Sequence, residues 1–87
     1  MRVIKATITE QNMAYLIEVE PEPGSKEIRA AGYADKAFEV ARNLVRSCLA
    51  GSDDALEPTD AEVEELIKWQ RKTQLNGSVK WEGEVTS

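Results

Sequence analysis

The sequence predicts an α+β fold: a small antiparallel sheet in the order β-β-β-α-α-β, with one face covered by a helix over residues 35–50. Three observations predict it. Residues 2–20 alternate apolar and polar side chains in two consecutive runs, as paired half-buried strands do. Residues 35–50 place apolar side chains at helical spacing on one contiguous face. After Pro58, a threonine cap opens a second helical pattern.

In the first run Ile4, Ala6 and Ile8 point one way, and Val3, Lys5, Thr7 and Thr9 the other. Gln11-Asn12 is the expected turn. Residues 13–20 alternate again, with Met13, Tyr15, Ile17 and Val19 on one side, so the two runs form an antiparallel hairpin. Pro21-Glu22-Pro23-Gly24-Ser25 is expected to be a loop, because proline cannot donate to a ladder. A short third strand over 26–31 carries Ile28 and Ala30.

The helix over 35–50 turns Ala37, Phe38, Val40, Ala41, Leu44, Val45, Cys48 and Leu49 inward. Asp35, Lys36, Glu39, Arg42, Asn43 and Arg46 face outward. Gly51 is placed to end it in a left-handed conformation. Residues 51–58 are an acidic linker without periodicity. Thr59-Asp60-Ala61-Glu62 is a capping box, and a second helix is expected over about 60–75, with Val63, Leu66 and Ile67 as a narrow apolar stripe. Asn76-Gly77 is read as its C-terminal stop in preference to a hairpin turn. Val79, Trp81 and Val85 then alternate in a last strand over 78–85. The 87 residues suffice for a single domain, 1–87, with a modest core.

Charge is unevenly placed. Residues 1–50 hold seven Lys/Arg and seven Asp/Glu; residues 51–87 hold four and nine, so the net charge of −5 belongs to the second part. Asp53, Asp54, Glu57, Asp60, Glu62, Glu64 and Glu65 fall within thirteen residues that contain no base. Helix electrostatics accounts for part of this. Acids at 60–65 suit the positive end of a helix dipole, Lys68, Arg71 and Lys72 suit the other end, and Glu64–Lys68 is an i,i+4 pair. The functional reading is a contact surface for a basic partner, in the extreme an imitation of nucleic-acid phosphates.

Several classes are disfavoured. With no histidine, acid–base work would fall on carboxylates in solvated segments, so the chain is read as a non-enzyme. An EF-hand register starting at Asp53 puts Pro58 where glycine is required, so no metal is expected, and no cofactor. Cys48, on the apolar face, is expected to be a buried, inert thiol. No apolar run reaches the ~18 residues of a membrane span, and one cysteine cannot form an internal disulfide, so no membrane partner and a cytoplasmic location are expected.

The preferred reading is a non-catalytic protein-interaction module or inhibitor acting through its acidic C-terminal half. A phage-type blocker of a host DNA-targeting enzyme is one form of it. The contact residues would be Asp53, Asp54, Glu57, Asp60, Glu62, Glu65 and Trp69, the last as an aromatic anchor at the edge of the helical stripe. The competing reading is a small nucleic-acid-binding domain using the sheet or the Arg42/Arg46 helix face, which the acidic balance opposes. A third is a homodimer joined through an open sheet edge.

Overall fold

The computed structural model describes residues 3–50 and 58–86. They form an α+β fold in which two helices lie against a five-stranded antiparallel sheet. In chain order the elements are β1 (Val3–Gln11), β2 (Ala14–Glu22), β3 (Ser25–Ala31), α1 (Ala34–Ala50), α2 (Asp60–Leu66), β4 (Gln70–Thr73) and β5 (Val79–Thr86). A single 3₁₀ turn at Leu75–Gly77 joins β4 to β5. The strand order across the sheet is β3-β2-β1-β5-β4.

Period-two alternation sets the core. Ile4, Ala6 and Ile8 of β1 are buried beside Ile17 and Val19 of β2 and Val85 of β5. Ala37, Ala41 and Val45 of α1 cover them, with Val63 and Ile67 from the α2 segment. Helix α1 lies over β1, β2 and β3 and packs beside α2. Cys48 is half-buried at the margin of this core rather than buried within it.

The β1–β2 turn is Asn12-Met13, one residue later than expected. Both residues have positive φ, 52° and 64°, the geometry of a type I′ turn that matches strand twist. Met13 therefore leaves the core face of β2 and is 90% exposed. Strand β2 continues through Pro21 to Glu22, although a loop was expected from Pro21 onward. The pairing with β3 shifts register between Val19 and Glu22, and an irregularity of this kind accommodates a residue without an N–H.

The largest correction concerns the second helix, expected to run to about residue 75. It stops at Leu66, and residues 70–73 are a strand paired with β5 through a hairpin whose turn contains Asn76-Gly77. Asn76 (φ 67°) and Gly77 (φ 77°) are both left-handed, as the turn demands. The pattern Lys68, Gln70, Arg71, Lys72, Thr73 fits either period, so tertiary context decides. A helix would strand the edge of β5; a hairpin pairs it and brings Trp69 down onto the sheet. Leu66, expected on the apolar stripe, is 47% exposed in consequence.

The start of α2 is as expected. Glu62 N–H donates to Thr59 Oγ1 at 3.2 Å, and Thr59 N–H donates to Glu62 Oε1 at 3.2 Å, closing the capping box. Thr59→Ala is expected to cost ~1 kcal/mol by removing this cap, read as a lowered urea midpoint. An unchanged midpoint would mean that packing alone places α2.

Candidate interaction surface

The acidic segment is partly consumed inside the fold. Arg46, half-buried on α1, donates from Nε to the Pro58 carbonyl at 2.9 Å and from Nη1 to Asp60 Oδ1 at 2.7 Å. One turn earlier, Arg42 Nη1 lies 3.3 Å from Glu64 Oε2. Glu64 therefore pairs with Arg42 and not with Lys68, which lies beyond the helix. Two arginines four residues apart on α1 thus clamp the first turns of α2. The same contacts occupy the Arg42/Arg46 face considered for nucleic acid.

Of the expected contact residues, Asp60 is held by Arg46 and Glu62 by the capping box. Glu65 is exposed on α2. Asp53, Asp54 and Glu57 lie outside the described residues. Trp69 follows α2 and is half-buried against the core.

Trp69 ends a row of four aromatic rings. Tyr15 and Trp81 lie 6.4 Å apart, Trp81 and Phe38 5.6 Å apart, and Phe38 and Trp69 5.3 Å apart, the last two pairs edge-to-face. That geometry sets a positive ring edge on a negative face. The row runs from β2 through β5 and α1 to the segment after α2. Trp69 Nε1 is buried without a hydrogen-bond partner among the described residues. Gly83 of β5 makes the packing of Trp69 geometrically feasible. A Cβ there would sit 2.5 Å from Ile67 Cγ2 and 3.0 and 3.2 Å from two Trp69 ring carbons.

The uncovered sheet face is charged and balanced. Lys72 of β4 and Lys80 of β5 are register partners, and Glu82 bridges them at 2.7 and 3.3 Å. Hydrogen bonds from Lys72 and then Lys80 hold the Glu82 carboxyl below its ordinary range. On β2, burial and then a hydrogen bond with Glu10, its cross-strand neighbour, raise the Tyr15 phenol. An open groove of about 520 Å³ is lined by Leu66, Lys68, Gln70 and β5 residues 82–84 and 86. It runs beside the part of β5 that β4 is too short to pair.

A different surface was not expected from the sequence. Register places the β1–β2 turn, the β3–α1 joint and the β4–β5 turn at one end of the sheet. Each carries a large side chain with an apolar body in solvent: Met13 at 90%, Tyr33 at 75% and Leu75 at 89% exposed. Neighbouring strands are ~4.8 Å apart, so the three tips are spread over roughly 17 Å along that end, nearly the width of the sheet. At Met13 exposure coincides with a left-handed backbone, which a residue with a Cβ adopts at a cost of ~1–2 kcal/mol.

Among the described residues no group of three or more His, Cys, Asp or Glu is placed to hold a metal, and no helix is long and apolar enough to cross a membrane. No protein family, no curated protein and no solved structure matches this chain.

Proposed function

We propose that the protein is a non-catalytic interaction module that binds another protein through the loop end bearing Met13, Tyr33 and Leu75. Met13 carries the reading. Folding alone favours glycine or asparagine at its position, and favours a polar side chain at a turn tip. The chain instead sets a long, adaptable thioether there, in a strained conformation and in water. Strained backbone clusters at functional sites, and methionine suits an adaptable binding surface. Tyr33 and Leu75 extend the apolar rim to a size that a pocket on a partner can receive.

The acidic C-terminal half keeps a role as the source of the field. A net charge of −5, all of it after residue 50, draws a basic partner and speeds encounter, whether or not its carboxylates touch that partner. An inhibitor of a nucleic-acid-binding enzyme is one partner class that fits both features, because such enzymes present basic surfaces.

The test separates folding from binding. Met13→Gly relieves the left-handed strain and is expected to raise stability by ~0.5–1 kcal/mol. The same substitution, alone and combined with Leu75→Ser, is expected to abolish capture of the partner that the wild type retains from native lysate. A stabilised variant that captures the same partner as well as the wild type sinks this reading.

A further inference from the structure

The edge strand β3 is self-complementary, and we infer that the protein forms a two-fold homodimer through it, joining two sheets into one of ten strands. β3 is seven residues long, lies at the outside of the sheet and has Ile28 at its midpoint. Lys26, Glu27, Ile28, Arg29 and Ala30 are all exposed.

Hydrogen-bond alternation determines what this edge offers. The two-residue turn Asn12-Met13 closes on Gln11 and Ala14, which form a hydrogen-bonded pair. Alternation makes Thr9–Leu16 and Thr7–Glu18 hydrogen-bonded pairs as well, so Leu16 and Glu18 direct their backbone groups at β1. Tyr15, Ile17 and Val19 direct theirs at their β3 partners Ala31, Arg29 and Glu27. That leaves Lys26, Ile28 and Ala30 with N–H and C=O groups turned away from the sheet. A second observation agrees: the Ile28 carbonyl accepts a hydrogen bond from Arg29 Nη1 at 2.9 Å.

A second copy of β3, antiparallel about a two-fold axis at Ile28, pairs every residue of the strand. Ile28 meets the copy's Ile28, and Lys26 meets the copy's Ala30, in hydrogen-bonded pairs that use the outward groups, the Ile28 carbonyl exchanging the Arg29 guanidinium for the copy's Ile28 N–H. Glu27 meets the copy's Arg29, and Arg29 the copy's Glu27, in the non-hydrogen-bonded pairs where side chains approach most closely. Both charged groups are half exposed, and Arg29 Nη2 now lies 3.8 Å from Glu27 Oε2 of its own strand. On the other face, Ile28, 53% exposed, meets the copy's Ile28 and sheds apolar surface from water. Two-fold axes at Lys26, Glu27 or Arg29 oppose like charges. An axis at Ala30 forgoes both ion pairs. An isologous contact needs a patch that complements itself, and the Ile28 register is the one in which charge, apolar surface and backbone groups all do so.

Sedimentation velocity over low to high micromolar protein tests this. The wild type is expected to shift from monomer to dimer. Glu27→Arg and Arg29→Glu each oppose like charges twice and are expected to raise the dissociation constant at least about tenfold. The double variant Glu27→Arg/Arg29→Glu is expected to restore association. Ile28→Lys disrupts the axis without touching the ion pairs, and circular dichroism at low concentration checks that each variant is folded. A wild type that stays monomeric throughout overturns the proposal. So does a dimer that is indifferent to the single reversals, or single losses that the double reversal fails to rescue. In the last two cases the copies meet elsewhere.

Discussion

Trp69→Ala is expected to lower stability by roughly 2–4 kcal/mol, a little under the range for a fully buried tryptophan. Trp69 packs edge-to-face on Phe38, lies over Gly83 and adjoins the buried Ile67. Removing it leaves a void that the short α2 segment and a four-residue strand cannot close. The loss is a large part of the roughly 4–13 kcal/mol expected for a chain of this length. Trp69→Phe is expected to cost much less, because it keeps a ring and deletes a buried N–H that has no partner among the described residues. Urea denaturation of the two variants gives the comparison. Equal midpoints for Trp69→Ala and wild type would return Trp69 to the role of a surface anchor.

Gly83→Ala is the second large effect, expected to cost roughly 1–3 kcal/mol through overpacking. The added methyl meets Ile67 Cγ2 at 2.5 Å, far inside contact distance, and the Trp69 ring at 3.0 Å. Gly83 is opposite Ala6, so small residues on two adjacent strands make the hollow that receives these side chains. The substitution is expected to be non-additive with Ile67→Ala, which removes the struck methyl. A double-mutant cycle by denaturation should give a coupling of roughly 0.5–3 kcal/mol in the relieving direction. Strict additivity would mean that β5 shifts to absorb the methyl.

The parts of the fold governed by unambiguous periods were legible in the sequence: the facing rows of β1 and β2, the buried face of α1, the Thr59 cap and the alternation of β5. Residues 68–74 were not, because polar side chains there fit a helix and an edge strand equally well and the decision rests on pairing with β5. The loop end was partly legible. Both Gln11-Asn12 and Asn12-Met13 keep the inward rows aligned, but asparagine favours the first left-handed position of a type I′ turn, and that preference selects Asn12-Met13. Legibility of the acidic site was limited by the Arg42 and Arg46 clamp, since pairing across 14 and 22 residues leaves no local pattern. Self-complementarity of β3 was written in Glu27-Ile28-Arg29, but it becomes readable only when the strand is known to lie at an edge.

The strand order has a consequence in time. β1 is the middle strand, and its two neighbours are β2, the next strand along the chain, and β5, the last, with Val3 set against Thr86. As the chain emerges during synthesis, β1, β2, β3 and α1 can collapse through nearby contacts while one side of β1 stays bare. Closing that side brings together residues 69 to 83 positions apart, the slow kind of step in which chain entropy is lost before contacts reward it. Until then Ile4, Ala6 and Ile8 sit beside an open edge with strong strand propensity, the condition in which nascent chains stick to one another.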